Sequence, residues 1–242
     1  MSTLLYDNPM LLDSVRHADL RLKDLNDLSF AAHTNTIPIN LVEFPLIARH
    51  YPIGFVGEGK DATPMAIVGL GKENLFIDEK GQWKPGVYIP AYVRRYPFIF
   101  GAGNDPNQLS LCIEDSPNVL TKVGGKPLFE DGKPSDATER ALEFCRSFHN
   151  AALSTEPFAK ALHGADLLTE RQANAELNGG GAFVLKGFKS IDEAKLRKVT
   201  AKTLGQWNEK NWLTPIFASI QSTLNWSNLV DLMAERNKAA VN

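Results

Sequence analysis

Twelve of the fourteen prolines lie between Pro9 and Pro134, and only Pro157 and Pro215 fall beyond. Proline has no backbone N–H and clashes with the preceding turn of a helix, so a proline-dense stretch builds strands and turns. Twelve of the eighteen glycines share that stretch. The distribution predicts an α+β chain in two parts. Residues 1–134 form an antiparallel, strand-rich part, a sheet or partial barrel. Residues 135–242 form a helix-rich part carrying a β-hairpin over 168–188. Charge changes little across residue 134, with 13 basic and 16 acidic residues before it and 13 and 12 after it, so no charged linker separates the parts and one compact unit is expected.

In the first part, Thr36–Phe44, Pro52–Val56, Met65–Leu70, Gly86–Val93, Tyr96–Phe100 and Leu109–Glu114 read as short strands between Gly and Pro breakers. Asn74–Asp78 and Gln82-Trp83 flank a glycine turn and read as a hairpin. In the second part, Asp136 and Glu139 have capping-box spacing, and Ala141, Phe144, Cys145, Phe148 and Ala152 follow on one helical face. Glu156–Leu162 reads as a separate short helix with Pro157 in its first turn. Leu168–Leu177 and Ala182–Phe188 pair across Asn178–Gly181. Ser190 with Glu193 caps a helix striped by Leu196, Val199, Leu204 and Trp207, and two more helices follow over Ile216–Leu224 and Trp226–Met233.

The 26 Lys and Arg against 28 Asp and Glu give a net charge of −2, which argues against a general nucleic-acid binder. The N-terminus lacks a signal-peptide pattern, and no apolar run nears the roughly 20 residues of a membrane helix. No membrane insertion is expected. A cytoplasmic location follows, with export lacking a classical signal peptide as the alternative. Cys112 in a strand pattern and Cys145 on a helix's apolar face read as buried free thiols, which suits a reducing compartment.

Chemical motifs are sparse. Gly54 to Lys60 has phosphate-loop spacing, but Asp61 replaces the magnesium-binding hydroxyl and Pro64 blocks the helix that must follow. Gly69 and Gly71 lack the third glycine of a dinucleotide fingerprint. His17 and Asp19 have the spacing of an iron-binding pair, yet the other histidines form no ligand spacing with them, so no metal is expected. Neither a G-x-S-x-G nor an S-x-x-K nucleophile motif occurs. The chain therefore reads as having no catalytic residues and no cofactor. One segment stands apart: Trp83, Tyr88, Tyr92, Arg94, Arg95 and Tyr96 interleave aromatic rings and guanidinium groups among stiffening prolines. Such a segment suits a groove for a protein or peptide partner, and strand alternation would send Arg94 and Arg95 to opposite faces.

At these residues the chain resembles the bacterial SapC family. The resemblance rests on His17 with Leu20-Arg21, Ile37-Pro38 with Glu43-Phe44, Tyr51-Pro52-Ile53-Gly54-Phe55, and Glu73–Asp78 with Gly81 and Trp83. It continues through Tyr88–Phe98, Leu111–Asp115, Leu128-Phe129 with Gly132, and Leu185–Phe188 leading to Ile191-Asp192. It brings no accepted catalytic residues to carry over, and the leading reading is a non-enzymatic accessory or binding protein that recognises a protein or peptide partner. It also implies two alternatives: a surface-layer (S-layer) associated structural protein, or a partner or subunit of an oxygenase- or halogenase-type system in Gram-negative bacteria. The surface-layer alternative sits against the missing signal peptide and a composition that is not Asn/Thr-rich.

Overall fold

The computed structural model describes residues 4–102, 109–176 and 182–241. Helix at 39% and strand at 23%, with every strand pair antiparallel, make the chain α+β, and none of its described sheets closes into a barrel. The chain divides into two compact units, each assembled from two separate stretches: Met1–Leu28 with Ala91–Asn150, and Ser29–Pro90 with Ala151–Asn242.

The first unit is built on a three-stranded sheet. Leu109–Glu114 runs at its centre, between Pro9–Leu11 and Phe98–Ala102. Ile113 faces Met10 on one side and Phe98 on the other and is fully buried. A smaller sheet places Arg21–Leu22 between Leu120–Thr121 and Lys126–Pro127. Ile113, Val119, Leu128 and Phe98 form a core that Cys145 joins from the long helix Asp136–Gly164. The start of that helix is fastened one residue earlier than its sequence suggests. The Ser135 hydroxyl accepts from Thr138 N–H at 3.4 Å and donates to the Pro127 carbonyl at 2.6 Å, while the Thr138 hydroxyl donates to the Leu128 carbonyl at 2.8 Å.

The second unit carries a five-stranded antiparallel sheet in the order Leu168–Glu176, Ala182–Ile191, Ile53–Val56, Thr63–Ile67, Thr36–Pro38. The expected turn at Asn178–Gly181 lies outside the described residues. Phe44, Phe55 and Phe158 are fully buried in this unit, and Phe158 meets Phe44 and Trp212 edge-on at 5.7 and 5.8 Å. Helices Leu213–Ser222 and Trp226–Val241 complete it.

Four local expectations change. The strand from Thr36 stops at Pro38, because the Glu43 carboxylate accepts from Asn40 N–H and starts helical turns at Leu41–Glu43 and Phe44–Ile47. The aromatic stretch Gly86–Val93 is no strand; after Pro90 it coils into the one-turn helix Ala91–Arg94. The two helices expected on either side of Ser154 are one, with Pro157 inside it, since burial of Phe158, Ala159 and Leu162 outweighs one lost backbone bond. The stripe from Leu196 to Trp207 is divided between Glu193–Leu196 and Ala201–Glu209, capped by Asp192 and Thr200 rather than by Ser190.

Candidate binding site

The aromatic–arginine segment spans the boundary between the units, with Trp83 and Tyr88 in one and Tyr92, Arg94, Arg95 and Tyr96 in the other. Each group is described within its own unit.

In the sheet-rich second unit, Trp83 is buried and its indole N–H donates to the Tyr51 hydroxyl at 3.1 Å. The Tyr51 hydroxyl donates to the Tyr88 carbonyl at 2.6 Å, and the Tyr88 hydroxyl donates to the buried Glu43 carboxylate at 3.1 Å. Phe76 packs edge-on against Tyr51 at 4.7 Å and lies nearly parallel to the Trp83 ring. Burial pushes the Tyr51 phenol well above its ordinary pKa. This chain of donors and acceptors satisfies Glu43 inside the protein and fixes the backbone of Tyr88.

In the first unit, the two arginines have opposite environments. Arg95 is only 5% exposed, and its guanidinium carbon lies 4.2 Å from the Tyr92 ring centre, 4.5 Å from Phe148 and 5.7 Å from Tyr6. Cation–π attraction of this kind grows when water is excluded. The Tyr6 hydroxyl donates to the Phe98 carbonyl at 2.7 Å, and the Tyr6 ring sits 5.4 Å from that of Tyr96. Tyr96 is half-buried; burial, then the carboxylates of Glu114 and Asp7, push its phenol up to about 12. Glu114 is itself held, accepting from Asp7 N–H at 3.2 Å and Asn8 N–H at 3.0 Å. Burial likewise pushes the Cys145 thiol up to about 11, against the opposing charge of Arg95. Cys145 and Cys112 are both free and buried, which makes them inert core residues.

Arg94 is exposed, with its guanidinium carbon 5.4 Å from the Phe144 ring centre. It lines an open cleft of about 460 Å³ together with Tyr96, Phe144, Lys23 and Lys126. Sequence reasoning placed Phe144 only on an apolar helix face and passed over Lys23 and Lys126. They stand far from Arg94 along the chain, and no local pattern marks them.

The other motifs resolve plainly. Gly54 to Lys60 is the end of a strand, a turn and the short helical turn Gly59–Asp61, leading directly into the next strand. His17 is buried and its Nδ1 accepts from Asp13 N–H at 3.1 Å, whereas Asp19 is exposed. Among the described residues no three His, Cys, Asp or Glu side chains gather as a metal site, and no helix is long and apolar enough to cross a membrane.

Among known families, the SapC family model matches residues 12–229. No curated protein and no solved structure matches the chain.

Proposed function

Because the chain belongs to the SapC family, we propose that it acts as a SapC-type accessory protein that is not an enzyme and holds a protein or peptide partner in the cleft beside Arg94. One observation carries this reading. Of two adjacent arginines, Arg95 is enclosed by rings, while Arg94 stands exposed on a cleft that Phe144 also lines. Arginine stacked on an aromatic ring at a concave surface is the usual chemistry of an interface anchor. Arg95 and Tyr96 also line the cleft, and Tyr92 packs under the Arg95 guanidinium. Two buried free thiols agree with work in a reducing compartment, the cytoplasm.

The test is affinity capture from the native host with the parent chain and with Arg94→Ala as baits, followed by mass spectrometry. A partner held by the parent and lost from the variant, at an unchanged melting temperature, supports the reading. Equal recovery of every captured protein by both baits overturns it.

A further inference from the structure

We infer that the cleft beside Arg94 takes an acidic segment of a protein partner, a short stretch with carboxylates flanking an apolar side chain. The inference rests on the cleft being the binding site, and it names the chemistry of what enters.

Charge is the first argument. The unit containing the cleft has ten Lys and Arg against thirteen Asp and Glu, so its average surface is acidic. The lining of the cleft reverses that balance: Lys23, Arg94, Arg95 and Lys126 stand against Asp24 alone. Arg95 is buried among its rings and contributes field rather than contact. Lys126 lies 3.8 Å from Asp24, with side chains 64% and 66% exposed, so water and salt weaken the pair and an incoming carboxylate replaces it at little cost.

Shape and geometry narrow the occupant. Phe144, Phe98, Leu25 and Ala141 add apolar side chains to the lining beside its cationic groups. The Arg94 guanidinium carbon lies over the Phe144 ring, 5.4 Å from its centre, and a guanidinium can grip a carboxylate with two parallel hydrogen bonds. A volume of about 460 Å³ fits a few side chains. A free phosphate has no group to set against the apolar lining residues, and a nucleic acid needs a long basic track that a chain of net charge −2 does not provide.

The experiment uses the full chain, its Arg94→Glu and Lys126→Glu variants, and two fluorescein-labelled peptides: Glu-Leu-Glu-Phe-Glu-Leu and its counterpart with Gln for each Glu. Thermal melts first establish that the variants fold, and fluorescence anisotropy then measures binding. The acidic peptide is expected to bind at least about tenfold tighter than the neutral one, and Arg94→Glu to weaken it about thirtyfold. Raising salt from about 0.1 M to about 1 M shortens the screening length from about 10 Å to about 3 Å and should erase most of the preference. Equal binding of the two peptides, or binding of neither, overturns the acidic-segment inference. If host capture still depends on Arg94 in that case, the cleft remains the binding site and only its ligand class falls. Self-association of the parent that Arg94→Glu abolishes would overturn the inference in favour of a second copy of the chain.

Discussion

Arg95 behaves as a core residue that happens to carry a charge. Three rings surround its guanidinium, and the nearest, Tyr92, is itself 1% exposed. Arg95→Ala removes the cation and most of the side-chain volume at once, so urea unfolding should show a loss of about 2 kcal/mol or more. Arg95→Lys should recover only part of it, since an ammonium does not stack as a guanidinium does. Arg94→Ala, at an exposed position, should stay within about 0.5 kcal/mol of the parent. Equal losses at 94 and 95 would contradict the environments described. That Arg94 and Arg95 face opposite environments was expected from the sequence, by alternation along a strand. The structure divides them by another route, the end of the one-turn helix Ala91–Arg94. Which arginine turns inward depended on Tyr6 and Phe148, rings supplied from distant stretches, and no local pattern predicts that.

Elements with a long, clean period were legible. Leu109–Glu114 and the paired strands Leu168–Glu176 and Ala182–Ile191 follow β-patterns, and the apolar face of Asp136–Gly164 follows the helical period. Expectations failed where burial or a local cap outweighed the pattern read from the sequence. Pro157 stays inside a helix because its neighbours are buried, and the strand at Thr36 is cut short by one carboxylate cap. Glycines test the same contrast. Gly69 follows Val68 in a fully buried stretch, and a Cβ there would stand 1.9 Å from the Glu73 carbonyl oxygen, which is backbone and cannot swing aside. Gly69→Ala should therefore cost about 1–3 kcal/mol through forced backbone movement. Gly205 lies exposed inside the helix Ala201–Glu209 with open space around it, so Gly205→Ala should add about 0.5–1 kcal/mol from helix propensity alone. Thermal melts of the two variants should move in opposite directions, and movement in the same direction would refute the argument.

At the scale of the whole molecule, both units are discontinuous in sequence. A fragment ending at residue 134 lacks Ser135 and Thr138, which anchor the long helix to Pro127 and Leu128, and lacks Cys145 from the core around Ile113. Expressed alone, residues 1–134 should show no cooperative thermal transition by circular dichroism, and a sharp transition would show that those contacts are dispensable. The proline gradient, read along the chain, reports which residues make strands and which make helices. It carries no information about which distant stretches assemble together, because that is settled by pairings such as Met10 with Ile113. That pairing also bears on how the protein is made. The strand Pro9–Leu11 has its partner about 100 residues downstream, so at about 5–20 residues per second a ribosome leaves it waiting for about 5–20 s. For that interval the nascent chain displays an orphan strand to chaperones and to neighbouring chains. Pro9, which has no N–H to offer a stray partner, gives that strand a safeguard while synthesis catches up.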